Sequence, residues 1–296
     1  MVGSAVHRAL SSQGVDVLTA PREILDLSSF AETRSFIHEH KPNSVVLAAA
    51  KVGGILANSQ NPEDFLTTNL RIQESVISAA KELGIKKFVF LGSSCIYPKM
   101  APQPISESSL LSGPLEPTNE AYALAKITGL RHVAYARKRF GKGWFSVMPT
   151  NLYGPGDTYD SERSHVIPAL ILKMHEARES GRSEVKLFGT GRPLREFLHV
   201  DDLANAILML LEREPDHDFV NIGSSEEISI ADLAHLVAQT VGFHGEVVFD
   251  PDYPDGTPRK LLDSSKVREL GWKPRVSLTE GIRQVYDDYL LQRAES

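Results

Sequence analysis

The stretch KFVFLGSSCIYP, residues 87–98, decides the fold class. Its first half is a continuous apolar run that ends in small polar residues, which is typical of a strand buried on both faces of a sheet. Similar runs lie at Val15–Leu18, Ser44–Ala49 and Trp144–Pro149. Segments with helical periodicity separate these runs, at Ala5–Gln13, Ser29–His38, Asp64–Leu83 and Glu120–Arg139. The alternation predicts an α/β fold in which crossover helices cover both faces of a doubly wound parallel sheet.

The pattern becomes irregular from Leu152 onward. Glycine and proline cluster at residues 153–156, 189–193 and 251–256, as in loops that build a binding surface. We therefore expect a sheet domain over residues 1–151 and, mainly over 152–296, a smaller α/β lobe that faces the substrate. Some later segments are expected to return to the first domain.

The beginning of the sequence differs from an ordinary dinucleotide fold. Residues 2–5 read VGSA and run directly into an amphipathic helix, with no apolar strand before them. In that fold a first strand leads into a glycine-rich turn at a helix N-terminus. Either the chain begins late or its first element is not a strand, and we favour a late start with the first strand missing.

Composition excludes several classes of protein. The 296 residues carry a net charge of −6, which argues against nucleic-acid binding because that affinity comes from clustered Lys and Arg. No apolar run approaches the roughly 20 residues that span a bilayer, and no export signal is visible. The one cysteine, Cys95, cannot form an internal disulfide. We expect a cytoplasmic enzyme without a membrane segment or a metal site.

Tyr122 and Lys126 are the first pair that could carry chemistry. Their spacing of four places both side chains on one face of a helix. A phenol is a poor acid or base at neutral pH, and a neighbouring ammonium group lowers its pKa. Taken alone, the spacing also fits an ordinary amphipathic helix with an exposed Lys.

Ser93 and Cys95 follow a predicted strand, where open α/β sheets bind their ligands. Ser93 could bond a substrate oxygen, and Cys95 could act as a base if its thiol were deprotonated. A capped loop with a buried, inert cysteine is the alternative. His165 is a further candidate for proton transfer, and Arg195 and Lys260 are loop cations that suit a diphosphate.

Longer motifs connect these residues. Ser93, Tyr122 and Lys126 resemble the Ser/Tyr/Lys triad of short-chain dehydrogenases, and LAAAKVGG at residues 47–54 resembles the turn after their fourth strand. The chain is similar to the GDP-L-fucose synthases of the extended class of that superfamily. The motifs that carry this likeness are LGSSCIYPK (91–99), LEPTNE (115–120), MPTNLYGP (148–155), SHVIPA (164–169), REFLHVDD (195–202) and PDGTPRKL (254–261).

The resemblance implies a Rossmann-type cofactor domain and a bifunctional reaction. GDP-4-keto-6-deoxy-D-mannose would be epimerised at carbons 3 and 5 and then reduced by NADPH at carbon 4. Cys95 would remove protons, and His165 would return them on the opposite face. Ser93 and Tyr122 would hold the ketone oxygen, Tyr122 would protonate the alkoxide, and Lys126 would lower the Tyr122 pKa and bind the nicotinamide ribose.

The resemblance also implies the binding residues. NADP(H) would meet Gly3, Arg22, Leu91, Gly92, Ser93, Ser94, Lys126, Pro149, Thr150, Asn151, Leu152 and His165. Of the family's glycine turn, only Gly3 is present. The GDP moiety would meet Lys173, Phe188, Arg195 and Lys260, with Lys173 and Phe188 standing where Arg and Trp are expected. A homodimer is expected through Asp64–Leu83 and Glu120–Arg139.

Two other interpretations stay open. A related nucleotide-sugar epimerase or dehydratase would keep the Tyr and Lys but would have no need of both Cys95 and His165. The other interpretation is a catalytically silent NADP-binding or scaffold protein, which would result from the missing first strand.

Overall fold

A computed structural model describes residues 1–160, 164–253 and 255–294, the side chains of residues 55 and 56 excepted. The helices are α1 (Val2–Ser11), α2 (Phe30–His40), α3 (Ile55–Gln60), α4 (Pro62–Glu82), α5 (Glu120–Phe140), α6 (Val166–Glu179), α7 (Val200–Arg213), α8 (Ile230–Val241), α9 (Ser265–Glu269) and α10 (Leu278–Ala294). The strands are β1 (Ser44–Leu47), β2 (Lys87–Leu91), β3 (Trp144–Pro149), β4 (Asn151–Tyr153), β5 (Glu184–Phe188), β6 (Leu194–His199), β7 (Phe219–Ile222), β8 (Glu227–Ser229), β9 (Glu246–Asp250) and β10 (Arg259–Lys260).

The main sheet is parallel and has the order β1-β2-β3-β7. Side chains alternate across it, so β2 sends Phe88 and Phe90 into one hydrophobic cluster and Val89 and Leu91 into another. Helices α4 and α5 cover the first face, while α1 and α7 cover the second. The predicted α/β class with a parallel central sheet is confirmed. Strand β7 comes from the second half of the chain and returns to this sheet.

The rest of the second half forms a smaller layer of mixed structure. Strands β10, β6 and β4 are parallel neighbours, and β8 runs antiparallel to β6. Strands β5 and β9 form a separate parallel pair. A third hydrophobic cluster, drawn from α6, α8 and α10, packs these strands together. The pairing of β10 with β6 sets Lys260 opposite Arg195, which matters for the site below.

One predicted strand is wrong. Val15–Leu18 has no strand geometry, and Val15 and Leu18 are each 47% exposed. The backbone N–H of Val15 instead donates to the Leu10 carbonyl and closes the end of α1. An apolar run becomes a strand only when a neighbour accepts its hydrogen bonds, and no described strand pairs with this one. The other predicted strands and helices are present, with ends shifted by up to three residues.

Among the described helices, none combines the length and the apolar character needed to cross a membrane.

Candidate active site

Ser93 and Cys95 lie just beyond β2, where a short 3-10 helix at Ser94–Ile96 begins. The Ser93 hydroxyl accepts the backbone N–H of Cys95 at 3.4 Å and also the Cys95 thiol, with 3.0 Å between Sγ and Oγ. Cys95 is buried. The start of this 3-10 helix therefore holds a thiol and a hydroxyl side by side at the carboxyl end of a central strand.

Helix α5 brings Tyr122 and Lys126 to the same place. The Lys126 ammonium donates to the Leu91 carbonyl at 2.8 Å, and it lies 4.9 Å from the centre of the Phe90 ring and 5.7 Å from that of Tyr122. Lys126 is only 3% exposed. One buried lysine thus ties the middle of α5 to the end of β2 and sets Tyr122 beside Ser93.

Burial controls the protonation of this cluster. It raises the pKa of Tyr122, and the nearby Cys95 adds to the rise while a hydrogen bond with Ser93 opposes it. It also raises the pKa of the Cys95 thiol, against the lowering effect of Lys260 and Lys126. Burial lowers the pKa of Lys126 to about 8. Desolvation of the phenolate is the largest of these effects on Tyr122, so its pKa is raised overall.

Two cations, Lys260 and Arg195, are neighbours in the second half of the chain, and Lys260 acts electrostatically on the thiol. Lys260 on β10 and Arg195 on β6 are opposite each other in the strand pairing, and the Arg195 guanidinium also donates to its neighbouring Leu194 carbonyl at 2.8 Å. Burial lowers the pKa of each group, and Arg195 further lowers that of Lys260. Two cations side by side suit an anionic ligand. Pro254, the first residue of the 254–261 motif, lies outside the described residues.

An aromatic platform lies at the end of β5. Phe188 stacks on Tyr253 with 3.9 Å between ring centres and 22° between planes, and the Lys173 ammonium lies 5.1 Å from the Phe188 ring. Phe188 is nonetheless 62% exposed. Tyr253 was missed from the sequence, although the turn cluster that contains it was noticed. Stacked, exposed rings beside a cation suit a planar ligand such as a nucleobase.

The predicted cofactor loops follow β2 and β3. The Gly92 N–H donates to the Val147 carbonyl at 2.9 Å, and a Cβ at Gly92 would come within 2.1 Å of the Met148 side chain. After β3, Thr150 and Asn151 both donate to the Glu196 carbonyl, at 3.3 and 2.8 Å. The segments that hold Leu91 to Ser94 and Pro149 to Leu152 therefore end at neighbouring points of one sheet edge.

Three further predicted residues are exposed on other elements. Gly3 is exposed in the first turn of α1, and Arg22 is exposed in a loop where it acts electrostatically on Asp26. His165 is the exposed N-cap residue of α6, and its charge acts on Asp157. The structure thus brings together Ser93, Cys95, Tyr122, Lys126, Arg195 and Lys260. It leaves His165 on a helix of the second lobe.

The chain resembles a known protein family and several named proteins. The profile of the NAD dependent epimerase/dehydratase family matches residues 1–223. The chain belongs to this family. That result confirms the resemblance predicted from the sequence. Within the family, GDP-L-fucose synthase 1 from Arabidopsis thaliana is 54% identical over 98% of this chain and 90% of its own length. The GDP-L-fucose synthase of Escherichia coli is 44% identical over 98% and 94%.

Solved structures of the family have the same fold. A GDP-L-fucose synthetase from Naegleria fowleri, bound to NADP, aligns with a TM-score of 0.88 and 26% identity, and the alignment covers all of this chain and 92% of that one. A GDP-6-OMe-4-keto-L-xylo-heptose reductase from Campylobacter jejuni aligns with a TM-score of 0.90 and 32% identity over 98% and 95%.

Proposed function

We propose that this chain converts GDP-4-keto-6-deoxy-D-mannose to GDP-L-fucose by 3,5-epimerisation and NADPH-dependent 4-reduction. The observation that carries the proposal is the single cluster in which a thiol, a hydroxyl, a phenol and a buried ammonium meet at the end of β2. A reductase alone needs the phenol and the ammonium. A thiol in contact with the same hydroxyl adds a group that can move a carbon-bound proton.

Cys95 is the base of the epimerisation in this scheme. Its thiolate takes a proton from the carbon next to the ketone, and the electrons of the broken C–H bond move onto the ketone oxygen as an enolate. Ser93 and Tyr122 hold that oxygen by hydrogen bonds. His165 then returns a proton to the opposite face of the carbon. This role requires the substrate to lie between Cys95 and His165, with His165 reaching it from the start of α6.

Tyr122 is the acid of the reduction. NADPH, when bound, supplies the hydride for carbon 4. Because burial raises its pKa, Tyr122 is protonated at neutral pH and can donate to the alkoxide oxygen. The charge of Lys126 favours the phenolate that this donation leaves behind.

The residues present fit a dinucleotide at this edge of the sheet. Gly92 packs so closely on Met148 that its position has no room for a side chain. The loop that it begins lies at the carboxyl end of a central parallel strand, which is where open α/β sheets bind dinucleotides. Lys126 could exchange its Leu91 carbonyl for a ribose hydroxyl. Ser94 and residues 149–152 would line the remaining part, with Gly3 and Arg22 toward the phosphates. Residues 1–151 would then form the cofactor domain and residues 152–296 mainly the substrate lobe.

The GDP moiety is assigned to the second lobe. Arg195 and Lys260 suit the diphosphate, since they are adjacent cations. Phe188, with Lys173 over its ring, suits the guanine. The GDP-L-fucose synthases among the relatives support a GDP sugar as the ligand.

We also infer a cytoplasmic homodimer. Helices α4 and α5 pack against each other on one face of the sheet, and α5 exposes Leu124 and Tyr135 at 43% and 64%. Apolar side chains on a helix pair suit a twofold interface. Sedimentation of the purified chain at several concentrations tests this, and a monomer at all of them would contradict it.

Turnover with defined products tests the proposed function. Purified protein is incubated with NADPH and GDP-4-keto-6-deoxy-D-mannose, and the sugar nucleotide is identified by chromatography against GDP-L-fucose. We expect that product together with stoichiometric NADPH oxidation. Formation of a different 4-reduced GDP sugar would instead favour a reductase without epimerase activity, and no reaction at all would contradict the proposal.

A further inference from the structure

Gln103 lies in the loop that follows Cys95, and its side-chain amide forms hydrogen bonds with the backbone on both sides of Lys260. Oε1 accepts the backbone N–H of Leu261 at 2.8 Å, and Nε2 donates to the backbone carbonyl of Arg259 at 3.2 Å. The two peptide groups that flank Lys260 are therefore both bound by one side chain. Two hydrogen bonds from one amide fix both the position and the orientation of a backbone segment. Gln103 therefore fixes the backbone from which the Lys260 side chain extends.

Backbone hydrogen bonds also join the segment around Lys260 to the loop that follows Cys95. Ile105 donates to the Leu261 carbonyl at 2.8 Å and accepts from Asp263 at 2.9 Å. The buried Glu196 carboxylate accepts the N–H of Leu262 at 3.0 Å. The segment that carries Lys260 is thus fastened to the loop after Cys95 rather than being held by β6 alone.

Charges converge on Cys95 from two sides. Helix α5 presents Tyr122 and Lys126, and β10 presents Lys260, while Ser93 accepts the thiol hydrogen. Of the two ammonium groups, Lys260 lowers the pKa of the thiol more strongly. Lys260 is therefore the main cation that opposes the cost of burying a thiolate.

Lys260 is itself surrounded by groups that can change its charge. Burial and the Arg195 guanidinium lower its pKa, while Cys95 and the Glu116 carboxylate raise it. Glu116 is held in place by an ion pair of 3.0 Å with Lys99. A thiol, a guanidinium and a carboxylate thus act together on the charge of Lys260. How strongly that charge stabilises a thiolate depends on where the Lys260 side chain is held.

We propose that Gln103 is a positioning residue that holds the Lys260 ammonium beside Cys95, and that Lys260 stabilises the Cys95 thiolate. This inference rests on the proposed function and deepens it. The thiol loses its proton to solvent, and the resulting thiolate removes the carbon-bound proton and becomes a thiol again. Neither step needs an oxidant or a further reactant.

Thiolate absorbance tests the first half of the proposal without substrate. Cys95 is the chain's one cysteine, so the ultraviolet absorbance of the thiolate follows a single group, with Cys95→Ser protein as the blank. We expect Lys260→Met to raise the midpoint of the titration by about one pH unit, because removal of a nearby cation disfavours the thiolate. Lys260→Arg keeps the charge and should restore most of that shift. Lys273→Met removes an exposed lysine and is the matched control.

A double variant tests the positioning role. Gln103→Met removes both hydrogen bonds at similar length and should raise the midpoint in the same direction as Lys260→Met but by less. If Gln103 acts through Lys260, adding Gln103→Met to Lys260→Met changes the midpoint no further. A residue that merely stabilises the fold would shift the melting temperature without producing this pattern.

The outcomes separate the two proposals. An unchanged midpoint in Lys260→Met, or in Lys260→Gln if the Met variant does not fold, would overturn the role of Lys260. Additive shifts in the double variant would overturn the positioning role of Gln103. Midpoints that shift as expected in a protein that does not turn over the GDP sugar would leave this inference standing and contradict the proposed function alone.

Discussion

The Cys95 thiol donates a hydrogen bond to the Ser93 hydroxyl, with 3.0 Å between sulfur and oxygen. The same hydroxyl bonds Tyr122, whose helix also carries Lys126. Two different proton-transfer groups therefore share one hydroxyl. A substrate ketone bound at that hydroxyl would have a base and an acid within reach at once, which is what an enzyme with epimerase and reductase steps in one site requires.

Replacement of Cys95 by Ser should separate the two steps. A hydroxyl is far less acidic than a thiol, so we expect deuterium uptake from heavy water into the substrate to fall by about 10²-fold or more. NADPH oxidation with an already epimerised ketone should be close to that of the parent. Equal loss of both steps would remove Cys95 from the role of base.

Replacement of Tyr122 by Phe should mainly damage hydride transfer. The alkoxide would lose its proton donor, and we expect the rate of NADPH oxidation to fall by about 10²–10⁴-fold. Deuterium uptake in the absence of NADPH is the control, because Cys95 is still present, and it should fall less. NADPH oxidation at the parental rate would exclude Tyr122 from the reduction.

Lys126 should make stability depend on pH. Its pKa is about 8 in the folded chain and 10.5 when unperturbed, so between these values the unfolded chain binds more protons and a rise in pH favours folding. The cost of burying the charge is complete below pH 8 and absent above pH 10.5. We expect the free energy of unfolding to gain about 3 kcal/mol over this range relative to Lys126→Met, since one pKa unit is worth about 1.4 kcal/mol.

Denaturant unfolding of both proteins across this range measures that difference. The Lys126→Met protein corrects for the groups that titrate in this range independently of Lys126. A difference between the two that is independent of pH would show that Lys126 keeps an ordinary pKa in the folded chain.

Phe188→Ala should weaken binding of the GDP sugar with little effect on turnover. Phe188 stacks on Tyr253 at the end of β5 and is not assigned to proton transfer. An aromatic contact adds roughly 1 kcal/mol beyond its buried area, so we expect KM to rise about tenfold. Phe30→Ala, which truncates an exposed ring on α2, is the control. A drop in kcat at unchanged KM would contradict the assignment of Phe188 to the nucleobase.

The parts of the fold that were predicted well have their cause within a short segment. Residues 88–92 and 144–149 are mostly apolar because both faces of a central strand are buried, and this pattern can be recognised without knowing the neighbouring strands. Val15–Leu18 is also rich in apolar residues, but whether it becomes a strand depends on a partner strand that the local sequence does not specify.

The site residues that were predicted also have their cause within short segments, and those that were missed depend on contacts between distant segments. Tyr122 and Lys126 were found from their spacing on one helix, and Ser93 and Cys95 from their place after a strand. Gln103 was missed because its two partners lie 156 and 158 residues further along the chain. The raised pKa of Tyr122 was also missed, since burial depends on tertiary packing rather than on the Lys four residues away.

The most direct test of a single site for both steps is a reaction in heavy water with NADPH in excess. The parent chain, with GDP-4-keto-6-deoxy-D-mannose as substrate, should give GDP-L-fucose that carries deuterium at carbons 3 and 5, as read by mass spectrometry and NMR. Reduced product without deuterium at either carbon would contradict the account, because the ketone would then have been reduced without passing through the base.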